Sequence, residues 1–313
     1  MKKALIVGIN NYPTSPLRGC INDASAFSTI MEKNADGSPN FSVKLETDVP
    51  TKAKLKSLIV DLFSGDSDIA LFYFSGHGFL NEIGGYIVTP DYTKYDEGVA
   101  MEEILNIANK SKAKDKIIIL DCCHSGAFGS PIMTGGATAQ IIEGVVVLTA
   151  SKSDGASIEV NGHGVFTNLL LDALQGGASN LLGEITPGSV YAYIDQALGP
   201  WDQRPVFKTN VTRFTSLRKI NPLVPLEILR KIIEYFPTPD QEHALDPTYE
   251  FDNKDIAKPE KVTILKNLQK FERVGLVVPV GEEHMYYAAQ NSKSCKLTAL
   301  GYHYWRLVKD KKI

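Results

Sequence analysis

Residues 69–78 read IALFYFSGHG, six apolar residues in a row followed by a histidine that stands between two glycines. A second stretch of the same kind, KIIILDCCHSG at residues 116–126, carries four apolar residues into an aspartate, two cysteines and another histidine. Unbroken apolar runs of this length are typical of strands buried on both faces of a parallel sheet. The sequence therefore predicts two core strands, each with reactive side chains directly after its carboxyl end.

The alternation of strand and helix patterns extends through the first two thirds of the chain and predicts an α/β fold. We expect a mostly parallel six-stranded sheet flanked by helices on both faces. The strands are predicted at residues 4–9, 43–47, 69–75, 116–121, 145–150 and 206–211. The helices are predicted at residues 24–33, 52–63, 101–109, 166–174 and 189–198. Residues 125–139, rich in Gly, Ser, Thr and Ala, are expected to form a long surface loop.

Length and composition limit the class of protein. A chain of 313 residues with 43% hydrophobic and 22% charged residues predicts about two globular domains and excludes disordered, collagen-like and coiled-coil chains. The net charge of −3 argues against a strongly basic nucleic-acid-binding protein. The apolar runs are too short to cross a bilayer, and the four cysteines include an adjacent pair, so no membrane span and no disulfide framework are expected. These features predict a cytoplasmic protein.

The last third of the chain has a different pattern and predicts a small α+β unit. An amphipathic helix over residues 226–236 is followed by a helix over residues 262–274 that carries Lys266, Lys270 and Arg273. A hairpin through Tyr286 and Tyr287 and a last helix after Thr298 complete the pattern. This order of elements resembles a winged helix.

The two strand ends carry the groups that cysteine chemistry requires. In an open α/β sheet the functional crevice lies at the carboxyl ends of the strands. A neighbouring imidazole lowers the pKa of a thiol or accepts its proton, which produces a nucleophilic thiolate. A glycine such as Gly78 leaves its backbone amide open to a developing oxyanion. The sequence thus favours acyl transfer by a cysteine that is assisted by a neighbouring imidazole.

Four motifs together resemble the caspase-like cysteine peptidases of clan CD, the peptidase C14 type, and within them the branch of metacaspases and bacterial caspase homologues. They are GCINDA at residues 19–24, YFSGHG at 73–78, DCCHSG at 121–126 and GVFT at 164–167. The resemblance implies the caspase-hemoglobinase fold over residues 1–215, a linker over 216–225 and a winged-helix-like domain over 226–313. It also implies that His77 is the general base and Cys123 the nucleophile, with the amides of Gly78 and Cys123 as the oxyanion hole. The separation of His77 and Cys123 is compatible with the roughly 50 residues found in caspases.

Other interpretations of these residues remain open at this stage. His163, which also lies between two glycines, is a rival base. Cys122 is expected in the core, because neighbouring residues of a strand point to opposite faces. A zinc site formed by Cys122, Cys123 and His124 is not favoured, because three consecutive ligands do not match tetrahedral spacing. His124 is expected to be structural.

The residues around the nucleophile predict the specificity. Asp121 stands where caspases that cut after Asp carry Gln, and the resemblance to metacaspases adds Asp23 as a second carboxylate and Ser75 as a polar lining residue. Such a pocket should bind Arg or Lys through charge-assisted hydrogen bonds. Alternatively, Asp23 caps the following helix and Asp121 forms a turn. Self-cleavage inside the loop after Cys123 is not expected, because no Lys or Arg lies between residues 122 and 151; Lys152 and the Arg218-Lys219 pair are the nearest sites.

No cofactor or metal is predicted. Many metacaspases need calcium, but this chain has Val99-Ala100-Met101 where they carry consecutive Asp residues, so calcium activation is not expected. The hypothesis is therefore a cysteine endopeptidase with protein substrates, controlled by a docking or activating protein partner on its C-terminal domain. Its resemblance to bacterial relatives suggests stress response or phage defence. The alternative is a winged-helix DNA-binding regulator or adaptor with a vestigial peptidase domain, which the nearly balanced charge of the domain does not favour.

Overall fold

The chain forms two compact units in the computed structural model. The structure describes residues 1–82, 84–122, 141–150, 159–160, 163–198 and 205–313. The first unit comprises residues 1–180 and 184–220, and the second comprises residues 181–183 and 221–313. Cys123, His124 and the predicted loop over residues 125–139 lie outside the described residues.

The first unit alternates strands and helices. Its strands are β1 (Lys2–Gly8), β2 (Ser42–Thr47), β3 (Ile69–Ser75), β4 (Gly78–Leu80), β5 (Gly85–Thr93), β6 (Asp96–Ala100), β7 (Asp115–Asp121), β8 (Val145–Thr149), β9 (Glu159–Val160), β10 (His163–Gly164), β11 (Glu184–Ile185), β12 (Val206–Asn210) and β13 (Arg218–Lys219). Its α-helices are α1 (Cys20–Glu32), α2 (Lys52–Phe63), α3 (Met101–Lys110), α4 (Val165–Asp172) and α5 (Pro187–Leu198). The limits of β3 and α2 are those that the sequence predicts.

Six strands form the central sheet, in the order β12-β8-β7-β3-β1-β2. All neighbouring strands are parallel except β12, which runs antiparallel to β8. The predicted α/β fold with a mostly parallel six-stranded sheet is therefore confirmed. The central position of β3 and β7 agrees with their continuous apolar sequences, because helices cover both faces of these strands.

Side chains alternate between two hydrophobic cores, one on each face of the sheet. Phe72 and Phe74 of β3 pack with α2 and α3 on one face, which we call the α2 face. Leu71 and Tyr73 pack with α1, α4 and α5 on the other, which we call the α1 face. Cys122 is 1% exposed in the core of the α2 face, so the prediction of a core cysteine is confirmed.

A small antiparallel sheet, in the order β4-β5-β6, was not predicted. Its strands are short or carry polar residues such as Asp96 and Glu97, and such strands have a weak sequence signal. Gly98 is required where β6 pairs with β5, because its φ is +146° and an added Cβ would lie 2.1 Å from the carbonyl oxygen of Ile87.

The first helix begins four residues earlier than the sequence predicts, at Cys20 instead of Ala24. Gly19 is its N-terminal cap, and no side chain caps the helix. The alternative role of Asp23 as a helix cap is therefore wrong: the residue lies within the helix, and its side chain is buried.

The second unit contains five α-helices and three strands in its described residues. They are α6 (Leu226–Leu229), α7 (Ile232–Tyr235), β14 (His243–Ala244), α8 (Pro259–Arg273), β15 (Val277–Val280), α9 (Met285–Gln290), β16 (Ser294–Leu297) and α10 (Ala299–Lys309). The strands form an antiparallel sheet in the order β14-β16-β15. The helix predicted over residues 226–236 is divided into two short helices.

The predicted hairpin through Tyr286 and Tyr287 is wrong, because both residues lie on α9. Met285, Ala288 and Ala289 are the buried residues of this helix, and their three-to-four spacing is that of a helix face. The predicted helix after Thr298 is confirmed as α10, with the Thr298 hydroxyl accepting a hydrogen bond from the amide of Gly301. The winged-helix assignment stays a prediction.

Candidate active site

The ends of β3 and β7 lie side by side. Ser75 is the register partner of Asp121, and the amide of Gly76 donates a hydrogen bond of 3.3 Å to the carbonyl oxygen of Asp121. The backbone segments that lead to His77 and to Cys123 therefore start from paired positions. The contact between His77 and Cys123 itself stays a prediction, because Cys123 lies outside the described residues.

Two hydrogen bonds fix His77 and define its tautomer. Its amide donates to the hydroxyl of Tyr12 at 3.1 Å, and its Nε2 lies 2.7 Å from the carbonyl oxygen of Ser15. A carbonyl oxygen can only accept, so Nε2 carries the proton and the neutral ring has its lone pair on Nδ1. The Tyr12 ring packs edge-on against the imidazole with ring centroids 4.5 Å apart. His77 is thus oriented with Nδ1 as its basic atom.

The loop that carries Tyr12 and Ser15 is tied to the sheet through Asp48. Asp48 Oδ1 accepts hydrogen bonds from the amides of Asn10 and Asn11, at 2.8 and 3.0 Å. The hydroxyl of Tyr12 in turn donates to the carbonyl oxygen of Val88. These bonds hold the loop that supplies the acceptor for His77. The role of the Ser15 carbonyl as the acceptor for His77 could not be predicted, because a backbone carbonyl has no sequence signature.

The three predicted specificity residues are brought together on the α1 face of the sheet. Asp23 of α1, Ser75 at the end of β3 and Asp121 at the end of β7 are buried, with Asp23 2% and Asp121 5% exposed. Ser75 Oγ donates to Asp23 Oδ2 at 3.3 Å. Gly78 begins β4 and pairs with Ile87 of β5.

Gly164 lies directly against both carboxylates. Its amide donates to Asp23 Oδ2 at 3.3 Å. A Cβ at this position would lie 3.0 Å from Asp121 Oδ2 and 3.4 Å from Asp23 Oδ2. We call the group formed by Asp23, Ser75, Asp121 and Gly164 the carboxylate pocket.

Two hydroxyl groups support Asp121 and were not predicted as site residues. Thr167 Oγ1 donates to Asp121 Oδ2 at 2.6 Å, and the Tyr73 hydroxyl lies 2.6 Å from the same Thr167 oxygen. Because the Thr167 proton is used for Asp121, Tyr73 is the donor in its own bond to Thr167. Burial raises the pKa of Tyr73, which keeps this donor protonated. Tyr73 lies in the motif YFSGHG and Thr167 in the motif GVFT.

His163 contacts the carboxylate pocket. Its Nδ1 lies 2.7 Å from Asp23 Oδ1, and about a quarter of its side chain is exposed. This contact places His163 beside Asp23. From the sequence, His163 was considered only as a rival base.

The electrostatics of the pocket favour a cationic partner. Burial, followed by the negative charge of Asp121, raises the pKa of Asp23 to about 6, and hydrogen bonds from His163 and Gly164 oppose this rise. The ionised form of Asp23 is therefore energetically unfavourable at neutral pH, and a positive charge between the two carboxylates would stabilise it.

The described residues contain no group of three or more His, Cys, Asp and Glu side chains that could hold a metal ion. No helix among them has both the length and the apolarity needed to cross a bilayer. Calcium independence stays a prediction.

The fold and the paired strand ends are those of a caspase-type α/β protein. A family model described as the caspase domain matches residues 1–214, and the chain belongs to this family of cysteine peptidases. The resemblance inferred from the four motifs is thus confirmed.

Particular relatives and a solved structure agree with this assignment. Metacaspase-1A of Aspergillus oryzae is 32% identical over 148 residues, and metacaspase-1A of Aspergillus terreus is 31% identical over 147 residues. Each alignment covers 40% of this chain and about a third of the relative, 35% and 36%. The crystal structure of caspase-1 from Spodoptera frugiperda has a TM-score of 0.50 at 14% identity, over 70% of this chain and 90% of that one, and shows a shared fold.

Proposed function

We propose that this chain is a cysteine endopeptidase that cleaves proteins after Arg or Lys. The observation that carries the proposal is the carboxylate pocket, in which Asp23 and Asp121 are buried together next to the strand end that leads to His77. A basic side chain would bring a positive charge next to these two carboxylates, and a guanidinium can also form paired hydrogen bonds with carboxylates.

The fixed tautomer of His77 supports a role as general base and then general acid. In the proposed reaction Nδ1 takes the proton of the Cys123 thiol, and the thiolate attacks the carbonyl carbon of the scissile bond. The amides of Gly78 and Cys123 would stabilise the oxyanion. The carbonyl oxygen of Ser15 accepts from Nε2 throughout and stabilises the imidazolium.

The second half of the reaction restores the enzyme. His77 donates its proton to the leaving amine, and the C–N bond breaks to leave a thioester on Cys123. Water then attacks the thioester with His77 as its base, which releases the new carboxyl terminus and the free thiol. Every proton that leaves Cys123 or water thus passes through one imidazole nitrogen.

Fluorogenic peptides that differ only in the residue before the leaving group test the specificity. We expect peptides ending in Arg or Lys to be hydrolysed at least about 1,000-fold faster than those ending in Asp, since an acidic residue would place a third negative charge beside two buried carboxylates. The measurement is kcat/KM for each peptide. Faster turnover of the Asp peptide would contradict the assignment of the pocket.

The pH dependence of recognition should follow Asp23. Ionised Asp23 attracts a guanidinium and protonated Asp23 does not, so recognition of Arg is expected to rise with pH through about 6 and then level off. The measurement is the ratio of kcat/KM for an Arg peptide to that for the matching citrulline peptide, which is uncharged. This ratio cancels the pH dependence of the chemical steps, because both peptides use the same catalytic groups. A ratio that stays constant between pH 5 and 8 would contradict the role of Asp23.

The backbone geometry bears on self-cleavage at Arg218-Lys219. Arg218 donates from Nε to the carbonyl oxygen of Lys33 and from a terminal nitrogen to that of Leu174. Arg218 and Lys219 form β13, which pairs with β11. A chain bound in this way is a poor substrate, because a peptidase needs an extended and free segment. Among the sites that the sequence suggests, this leaves Lys152, which lies outside the described residues.

For the second unit we propose docking of a protein partner, which would regulate the peptidase. Two cations that a DNA-binding interpretation would use are engaged within the unit: Lys261 binds Asp246 at 2.6 Å, and Lys266 lies over the ring of Phe251 at 5.8 Å. These contacts support docking over a DNA-binding regulator with a vestigial peptidase domain. A role in stress response or phage defence stays a prediction.

A further inference from the structure

A cavity of about 400 Å³ lies against His77 on the face of the sheet opposite the carboxylate pocket. Tyr12 and Val88 line it and belong to the core of the α2 face, whereas α1, which carries Asp23, packs on the other face. His77 and Gly78 form part of the cavity wall. The described residues around His77 thus present two different pockets, one on each face of the sheet.

Tyr12, Phe79 and Tyr92 contribute aromatic rings to the walls of this cavity, and we call it the aromatic cavity. Tyr12, Phe79, Val88 and Tyr92 supply its apolar surface. Phe79 and Tyr92 remain 40% and 38% exposed. Each Å² of such surface that a ligand removes from water contributes about 25 cal/mol, so the cavity favours an apolar occupant.

The polar groups of the aromatic cavity do not select a charged ligand. Lys94 and Glu97 both line it, and their charges offset each other. The Thr14 hydroxyl hydrogen-bonds that of Tyr92, which joins the loop after β1 to β5. The volume is within the range of about 300 to 1,000 Å³ that is usual for ligand pockets, so the cavity has room for a large side chain.

We propose that the aromatic cavity binds the side chain of the substrate residue that directly follows the scissile bond, and that it selects an aromatic or large aliphatic residue there. This proposal rests on the proposed function. His77 must protonate the amine of that residue as it leaves, so the residue must lie next to the imidazole. The carboxylate pocket on the other face takes the basic residue that precedes the bond, which leaves the cavity beside His77 and Gly78 for the residue that follows it.

Internally quenched peptides with Arg before the scissile bond and Phe, Leu, Gly or Asp after it test the proposal. We expect kcat/KM for Phe and Leu to exceed that for Gly and Asp by about 10- to 100-fold, the discrimination that one buried apolar side chain provides. A methyl ester of the Arg peptide, whose methanol leaving group is too small to fill the cavity, measures the part of the activity that does not use the cavity.

Variants of the cavity wall separate this role from a structural one. Phe79→Ala and Tyr92→Ala should each lower the Phe to Gly ratio of kcat/KM by about 5- to 10-fold, with a much smaller change for the Arg methyl ester. Tyr95→Ala is the matched control, since this aromatic residue lies between β5 and β6, is 84% exposed and does not line the cavity. It should leave the ratio unchanged.

Failure of the aromatic cavity as a substrate site can be distinguished from failure of the proposed function. Equal turnover of the Phe, Gly and Asp peptides, or an unchanged Phe to Gly ratio in both wall variants, would overturn the aromatic cavity as a substrate site. Turnover of the Arg methyl ester in the same experiment would show that cleavage after a basic residue survives that result. No turnover of any substrate by the active-site-intact protein would overturn the proposed function and this inference together.

Discussion

Cys123→Ala abolishes hydrolysis of Arg peptides, with kcat/KM falling by at least about 10,000-fold, because alanine cannot form the thioester on which both halves of the reaction depend. The fold should be unaffected, since the substitution removes one sulfur atom. The measurement is steady-state hydrolysis of an Arg-aminocoumarin peptide, with the thermal unfolding midpoint recorded on the same preparation.

Cys122→Ala is the matched control for this experiment. Cys122 is buried in the core of the α2 face, so its loss should lower the free energy of unfolding by about 1 kcal/mol while activity stays within a factor of about three. The opposite pattern, an inactive Cys122→Ala and an active Cys123→Ala, would exchange the two assignments and contradict the account.

Asp121→Asn is expected to lower kcat/KM for Arg peptides by about 30- to 1,000-fold, because truncating the charge of a buried ionic contact typically costs 2 to 4 kcal/mol. Kinetics with a citrulline peptide should change by less than about tenfold, since that side chain makes no ionic contact. Asparagine preserves the size of the residue and an oxygen that can accept the Thr167 hydroxyl. The measurement is kcat/KM for both peptides.

Asp115→Asn provides the comparison for Asp121→Asn, because Asp115 begins β7 and Asp121 ends it. Asp115 accepts a hydrogen bond from Thr215 and has no place in the carboxylate pocket. Asp115→Asn should leave kcat/KM unchanged for both the Arg and the citrulline peptide. Equal losses for the Arg and citrulline peptides in Asp121→Asn would indicate that Asp121 only supports the fold.

The carboxylate pocket links function to stability. A carboxyl group whose pKa is higher in the folded state binds its proton more tightly there, so the stability that it contributes falls as pH rises from its ordinary pKa of 3.8 to about 6. At neutral pH the cost for Asp23 is about 3 kcal/mol. A substrate guanidinium would remove much of this cost, which is a physical reason for a free enzyme to tolerate two adjacent buried carboxylates.

The central sheet could be predicted because its strands have strong local signals. The apolar run at residues 69–74 is long enough to bury on both faces, and β3 has the predicted limits. The β4-β5-β6 sheet had no such signal, because strands such as DEGVA at 96–100 are polar and short. Helix α9 was interpreted as a hairpin because only six residues carry its periodicity.

The site was predicted in part. Family motifs pointed to Asp23, Ser75 and Asp121, and the structure brings these residues together. The role of Ser15 could not be predicted, since its carbonyl oxygen acts through backbone position and not through side-chain identity. The partners of the carboxylates, His163 and Thr167, depend on the packing of β10 and α4 against α1, which is a long-range contact.

The central claim is that a thiolate at Cys123 acts on substrates with a basic residue before the scissile bond. Its most direct test is intact-mass and peptide-mapping mass spectrometry after reaction with an acyloxymethyl ketone that carries Arg. The account predicts one adduct per chain, on Cys123, in the wild type and in Cys122→Ala, with no adduct in Cys123→Ala and a much slower reaction of the Asp-bearing reagent. An adduct on Cys20, Cys122 or Cys295 in place of Cys123, or faster labelling by the Asp-bearing reagent, would contradict it.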